Sequence, residues 1–132
     1  MYKHNFHPSI LREYDIRGII NETLFEKDAF MIGYFFGLIC KEKNLYDKTK
    51  IVISMDGRLS SPNLKKQLLF GLNKSGCNII DLGLNPTPIL YFGSHHLNAD
   101  GAIQITGSHN PKNYNGFKMM IKNEPFFGKD IQ

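Results

Sequence analysis

A serine that takes up and gives away a phosphoryl group needs an unobstructed backbone, positive charge at the phosphoryl oxygens and acid–base help nearby. The segment Thr106-Gly107-Ser108-His109-Asn110-Pro111 has the makings of such a site, directly after the apolar run Ala102-Ile103-Gln104-Ile105. Gly107 keeps the main chain uncluttered beside the hydroxyl and permits backbone angles that a side chain forbids. Pro111 fixes the exit of the loop. His109 follows the serine directly, and Lys118 lies a little further on, beyond Asn115-Gly116, which reads as a tight turn opening the last strand. Lys118 can shuttle a proton only if its pKa falls from about 10.4 toward about 7–8, a shift that neighbouring cations promote. Arg17, far upstream, carries the planar fork that grips phosphate through two bonds.

The elements that must position these residues alternate. Ile51-Val52-Ile53-Ser54-Met55 is a short apolar run of the kind buried on both sheet faces. It is followed by the turn Asp56-Gly57-Arg58 and by Ser61-Pro62, an N-cap and first-turn pair. Leu64, Leu68, Leu69 and Leu72 share one face of the helix that follows, which Gly76 ends. Asn78 to Leu82 is the next strand, Thr87 caps a helix reaching about Leu97, and Ala102 to Thr106 is a third strand.

This β-α-β-α-β order predicts parallel strands with right-handed crossovers and helices on both faces. Phe117 to Ile121 comes too soon after Thr106 for a helical crossover, so it is expected to run antiparallel. Lys118 then points away from the face of Phe117, Met119 and Ile121. Upstream, Tyr14 to Ile20 reads as a loop leading into a short strand, and Lys27 to about Asn44 as a helix apolar nearly all round. The expected fold is a three-layer α/β/α domain with a mixed, mostly parallel sheet. In such sheets ligands collect beyond the carboxyl ends of the strands, where Arg58 and Ser108 would share a rim.

Composition excludes several other classes. The 132 residues make one domain, and the net charge of +4 comes from scattered lysines with no basic arm for nucleic acid. The longest apolar run, Ala29 to Cys40, is too short for a membrane span. It reads as a core helix, with Tyr34, Phe35 and Phe36 free to face a further domain. Cys40 and Cys77 lack metal-ligand spacing and read as reduced thiols of a cytoplasmic protein. His95-His96 has no third ligand in register and suits a helix C-terminus. Arg58 by itself reads as a structural or surface charge.

The run T-G-S-H-N-P followed by Tyr114-Asn115-Gly116-Phe117-Lys118 resembles the phosphoserine signature of the α-D-phosphohexomutases, most closely the bacterial phosphomannomutase/phosphoglucomutase branch. Tyr14-Asp15-Ile16-Arg17-Gly18, Asp56-Gly57-Arg58 and Asp81-Leu82-Gly83-Leu84-Asn85-Pro86-Thr87-Pro88 are similar to three further landmarks of that family, in the same order. Ser54-Met55 departs from the pair that usually precedes D-G-R. The resemblance implies that Ser108, as phosphoserine, interconverts hexose 1-phosphate and hexose 6-phosphate through a hexose bisphosphate. It implies that the Ser108 phosphate is one ligand of Mg²⁺ and that His109 and Lys118 act as acid–base groups. Tyr14, Arg17 and Asn110 would line the site.

Family members are several times longer and take their aspartate-rich metal loop, sugar-recognition loop and phosphate-clamping loop from later domains. Residues 1–132 are therefore expected to match the first, catalytic-serine domain, cut short at its C-terminal end, inactive alone and prone to self-association. Two other readings stay open. One is a non-catalytic domain that binds a sugar phosphate or a partner chain. The other is a piece of a phosphoglucosamine mutase, against which the wording around Ser108 favours the mannose/glucose branch.

Overall fold

The computed structural model describes residues 3–43, 48–126 and 128–132. At its centre lies β2 (Lys50–Met55), whose Ile51, Val52 and Ile53 are buried on both faces. β2 runs parallel to β3 (Asn78–Leu84) on one side and to β4 (Gly101–Ile105) on the other. Beyond β4 comes β5 (Tyr114–Ile121), and its outer edge is shared by β1 (Ile16–Ile19) and β6 (Glu124–Phe126). The order is β1-β5-β4-β2-β3, with β6 also on β5. Every pairing of β5 is antiparallel, so β5 alone runs against the other strands. The sheet is mixed and mostly parallel in direction.

Side chains alternate between two cores. Ile51, Ile53, Ile103, Ile105 and Phe117 pack under α1 (Glu26–Lys43) and α2 (Ser61–Ser75). Val52 and Ala102 pack on the other face under Leu90 of α3 (Thr87–His96). Three layers result. Phe36 of α1 is fully buried and meets Phe126 edge-on at 5.7 Å between ring centroids, so it faces this domain's core and not a further one. Asn44, the expected end of α1, lies outside the described residues.

Three local expectations are corrected. Asn115-Gly116 is not a turn; both residues lie inside β5. Gly116 is there because β1 passes too close for a side chain: a Cβ would overlap the Ile16 carbonyl. The tight hairpin turn of this sheet is Lys122-Asn123, with φ of 51° and 66°, the left-handed pair that such turns require. It leads to β6, whose Pro125 a sheet tolerates only at an edge.

Secondly, the N-cap positions shift by one residue. Ser60 precedes α2, and Ser61 turns its hydroxyl to Asp56 at 2.7 Å. Pro86 precedes α3 in place of Thr87. Thirdly, the last residues make only a single 3-10 turn, Gly128–Asp130, where a helix start was expected; Phe127 is outside the described residues.

Both cysteines are free and buried. Burial, with lesser contributions from Cys77 and Asp100, pushes the Cys40 thiol up to about 12. Among the described residues no helix is long and apolar enough to cross a membrane.

Candidate functional site

Adjacent parallel strands bring two loops to one rim. Asp56-Gly57-Arg58 leaves β2, the serine loop leaves β4, and the Asp56 N–H donates to the Ile105 carbonyl at 2.9 Å where they meet. A third contribution comes from β1. Arg17 pairs with Gly116 across the β1–β5 ladder, and its neighbour Ile16 points into the α1/α2 core. Arg17 therefore projects to the opposite face.

The Arg17 guanidinium closes the site from that side. Nη2 donates to Ser108 Oγ at 3.0 Å and Nη1 to Asn110 Oδ1 at 2.6 Å. Nη2 also pairs with the carboxylate of Asp15, which is buried. Nε is buried and has no hydrogen-bond partner among the described residues. That is a positive donor beside the serine hydroxyl with its capacity unspent, an expensive arrangement unless an anion completes it.

Ser108 itself has φ of 52°, the left-handed region in which a non-glycine residue is held only by its surroundings. The Ser108 N–H donates to Thr106 Oγ1 at 2.9 Å. The larger constraint is Arg58. Its Nη2 donates to the carbonyls of Ser108 at 3.0 Å and Asn110 at 2.8 Å, and its Nη1 to those of Pro111 at 2.6 Å and Tyr114 at 3.1 Å. Its Nε donates to Asp56 at 3.2 Å. Gly107 is glycine because a Cβ there would overlap the Arg58 guanidinium. The strained torsion expected at Gly107 belongs instead to Ser108, since Gly107 is not among the glycines of positive φ.

Asp56 ties the two loops together. It accepts from Ser61 Oγ at 2.7 Å, from the Arg58 N–H at 3.1 Å and from the Gly107 N–H at 3.1 Å. Burial alone would raise its pKa, but the hydrogen bonds from Ser61, Arg58, Gly107 and Thr106 outweigh burial, and its carboxyl lies below the usual value. A lowered folded-state pKa means stability that is complete above the ordinary carboxylate range of about 4 and is lost as pH falls through the lowered value. Denaturant midpoints measured between neutral and acidic pH should therefore decline in acid, and Asp56→Asn should decline less steeply. An unchanged acid limb in that variant would remove Asp56 from the account.

The remaining sequence candidates are placed differently. Lys118 lies opposite Gln104 on β4 and shares a face with Met120, the face to which Arg17 also belongs. It is half-buried in a depression of about 520 Å³ that Tyr14, Tyr91 and His95 also line, and no hydrogen bond or ion pair engages it among the described residues. Tyr14 is largely exposed at the edge of that depression. His109 is exposed on the loop. Arg17, Ser108 and Asn110 thus make one bonded cluster, Lys118 and Tyr14 line a depression that includes none of the three, and His109 is exposed.

Asp15, Asp56 and Thr106 are not among the site candidates of the sequence, and Arg58, expected on the rim of Ser108 as a structural or surface charge, proves to bind the loop's carbonyls. The signal for Asp56 and Arg58 was available. A D-G-R turn leaves the strand that the three-strand spacing puts next to the one before the serine.

The chain matches the family model described as phosphoglucomutase/phosphomannomutase, alpha/beta/alpha domain I, over residues 8–132. It is 42% identical over 124 residues to a phosphomannomutase/phosphoglucomutase of Pseudomonas syringae pv. tomato, covering 94% of this chain and 26% of that protein. It is 41% identical over 123 residues to a phosphoglucomutase of Neisseria meningitidis serogroup B, covering 93% and 26%. A crystal structure of a phosphoglucomutase/phosphomannomutase family protein from Burkholderia thailandensis superposes with a TM-score of 0.89 at 38% identity, over 97% of this chain and 29% of that one. The chain spans about a quarter of the length of the curated relatives it matches.

Proposed function

Because the chain belongs to the phosphoglucomutase/phosphomannomutase family, we propose that it is the part of a phosphohexomutase in which Ser108 carries the transferred phosphoryl group. The observation that carries this reading is the Arg17 guanidinium on Ser108 Oγ at 3.0 Å, with Nε buried and unspent. A phosphoryl group on that oxygen supplies the missing acceptor, and the guanidinium neutralises the charge that develops during transfer.

In the reaction the bond from phosphorus to Ser108 Oγ breaks as a bond to a hexose hydroxyl forms. The hydroxyl proton passes to a base on the enzyme, and the transfer back to the serine from the other phosphate of the bisphosphate completes the interconversion of 1-phosphate and 6-phosphate. Lys118 is the acid–base candidate with the better position, half-buried on the Arg17 face and unengaged among the described residues. His109 is the second, exposed beside the serine. Asn110 holds Arg17, and Tyr14 offers its ring at the margin of the depression where the sugar would lie.

Mg²⁺ would add charge stabilisation of the phosphoryl oxygens. Among the described residues no three His, Cys, Asp or Glu side chains cluster to hold a metal, and the carboxylates beside the serine loop are engaged by Arg17 and Arg58. The described residues alone do not fit a magnesium site; a phosphate on Ser108 would be a ligand from this chain. Leu59, almost fully exposed on the loop next to Arg58, supports contact of this rim with further protein.

The test is phosphoryl transfer to the serine. Joined to the later domains of a family relative and incubated with a hexose 1,6-bisphosphate and Mg²⁺, the chain should gain one phosphoryl group, located at Ser108 by peptide mass mapping and absent from Ser108→Ala. Equal labelling of the variant, or a serine that stays unmodified, would sink the reading.

A further inference from the structure

The peptide bonds are trans, so a carbonyl and the next N–H point in opposite directions. The Ser108 carbonyl points at Arg58 Nη2, 3.0 Å away. The N–H of His109, on the same peptide, therefore points away from Arg58. Its neighbours are all engaged within the loops: Gly107 N–H by Asp56, Ser108 N–H by Thr106 and Asn110 N–H by the Gly107 carbonyl at 3.0 Å. The His109 N–H has no partner among the described residues, and its residue is exposed. One main-chain donor of this loop is thus kept open, and it belongs to the peptide that Arg58 holds.

We propose that Arg58 is a positioning residue for the Ser108 site: by gathering the carbonyls of the loop it turns the His109 main-chain N–H outward as a hydrogen-bond donor to an anionic oxygen at Ser108. Only the identity of that anion, a phosphoryl oxygen, rests on the phosphoryl-transfer reading above. Arg58 suits the task because a planar fork reaches several acceptors at fixed angles at once. An ammonium at the end of a lysine is a point charge and cannot hold all the carbonyls. The buried Arg17 Nε, on the guanidinium whose Nη2 donates to Ser108 Oγ, is a second donor without a partner among the described residues.

The experiment follows the amide resonances of the ¹⁵N-labelled chain during titration with inorganic phosphate, in the unsubstituted protein and in Arg58→Lys. In the unsubstituted protein the His109 amide should move with added phosphate. In Arg58→Lys, which keeps the charge, the resonances of α1 and β2 should stay in place while Gly107 to Asn110 shift. Phosphate should then bind about tenfold more weakly or worse, with no response from His109. Methylguanidinium added to Arg58→Ala should restore part of the response.

A His109 amide that ignores phosphate in the unsubstituted chain overturns the donor assignment. A loop and a phosphate affinity unchanged in Arg58→Lys overturn the positioning role. Neither outcome depends on the phosphorylation of Ser108, so this proposal and the phosphoryl-transfer reading can fail separately.

Discussion

Arg17→Lys should slow phosphoryl transfer to Ser108 by about 10²-fold or more, the cost of removing a donor aimed at developing charge. Lysine keeps the positive charge but not the geometry. In the present arrangement Nη2 serves Ser108 and Asp15, Nη1 serves Asn110, and Nε has no partner among the described residues. A single ammonium cannot reproduce that fork. The rate of Ser108 labelling by a hexose 1,6-bisphosphate is the measurement. Arg17→Met is the harsher variant, and it carries a second penalty because it leaves the buried Asp15 carboxylate without its partner. Comparing unfolding midpoints of the two separates loss of chemistry from loss of fold. A labelling rate within twofold of the unsubstituted protein in Arg17→Lys would remove the guanidinium from the mechanism.

The second large effect is expected at Gly116. A Cβ there would overlap the main chain of β1 at Ile16 and Arg17, and main chain cannot turn aside as a side-chain tip can. Gly116→Ala should cost about 3 kcal/mol, the upper range for overpacking, and lower the Tm by about 10 °C in a domain of this size. The more telling part concerns function. The strand pushed away is the one that carries Arg17, so the variant should lose Ser108 labelling even at temperatures where it remains folded. A Tm within a degree or two of the unsubstituted chain would show that β1 adapts.

Gly116 also shows where sequence reading reaches its limit. An Asn-Gly pair signals a hairpin whenever only local preference is considered. Here Asn115 is buried, donating to Ser60 Oγ at 2.8 Å and Ser61 Oγ at 3.0 Å, and the glycine answers to a strand from the other end of the chain. Neither fact is local, so no window of sequence around the pair contains it. The layers and parallel strands were legible because Ile51 to Ile53, Ile79-Ile80 and Ile103 recur with helices of consistent amphipathicity between them. β6 was not legible, because Glu124-Pro125-Phe126 is short and its proline argues against any strand but an edge one.

The site divides in the same way. Ser108 and its neighbours stand out by type and order, and Arg17 by the company of Tyr14 and Asp15. The grip of Arg58 on four main-chain carbonyls was hidden, since carbonyls carry no residue identity.

The pairing of β1 with β5 has a consequence for the order in which the molecule assembles. Arg17 and Ser108 are 91 positions apart, and β1 reaches the sheet only through β5. During synthesis the first strand therefore leaves the ribosome long before the strand that will receive it, and the intervening β2-α2-β3-α3-β4 unit can pack without it. Closing so long a loop is entropically slow. The guanidinium can meet the hydroxyl only once β5 has joined the sheet and given β1 its edge.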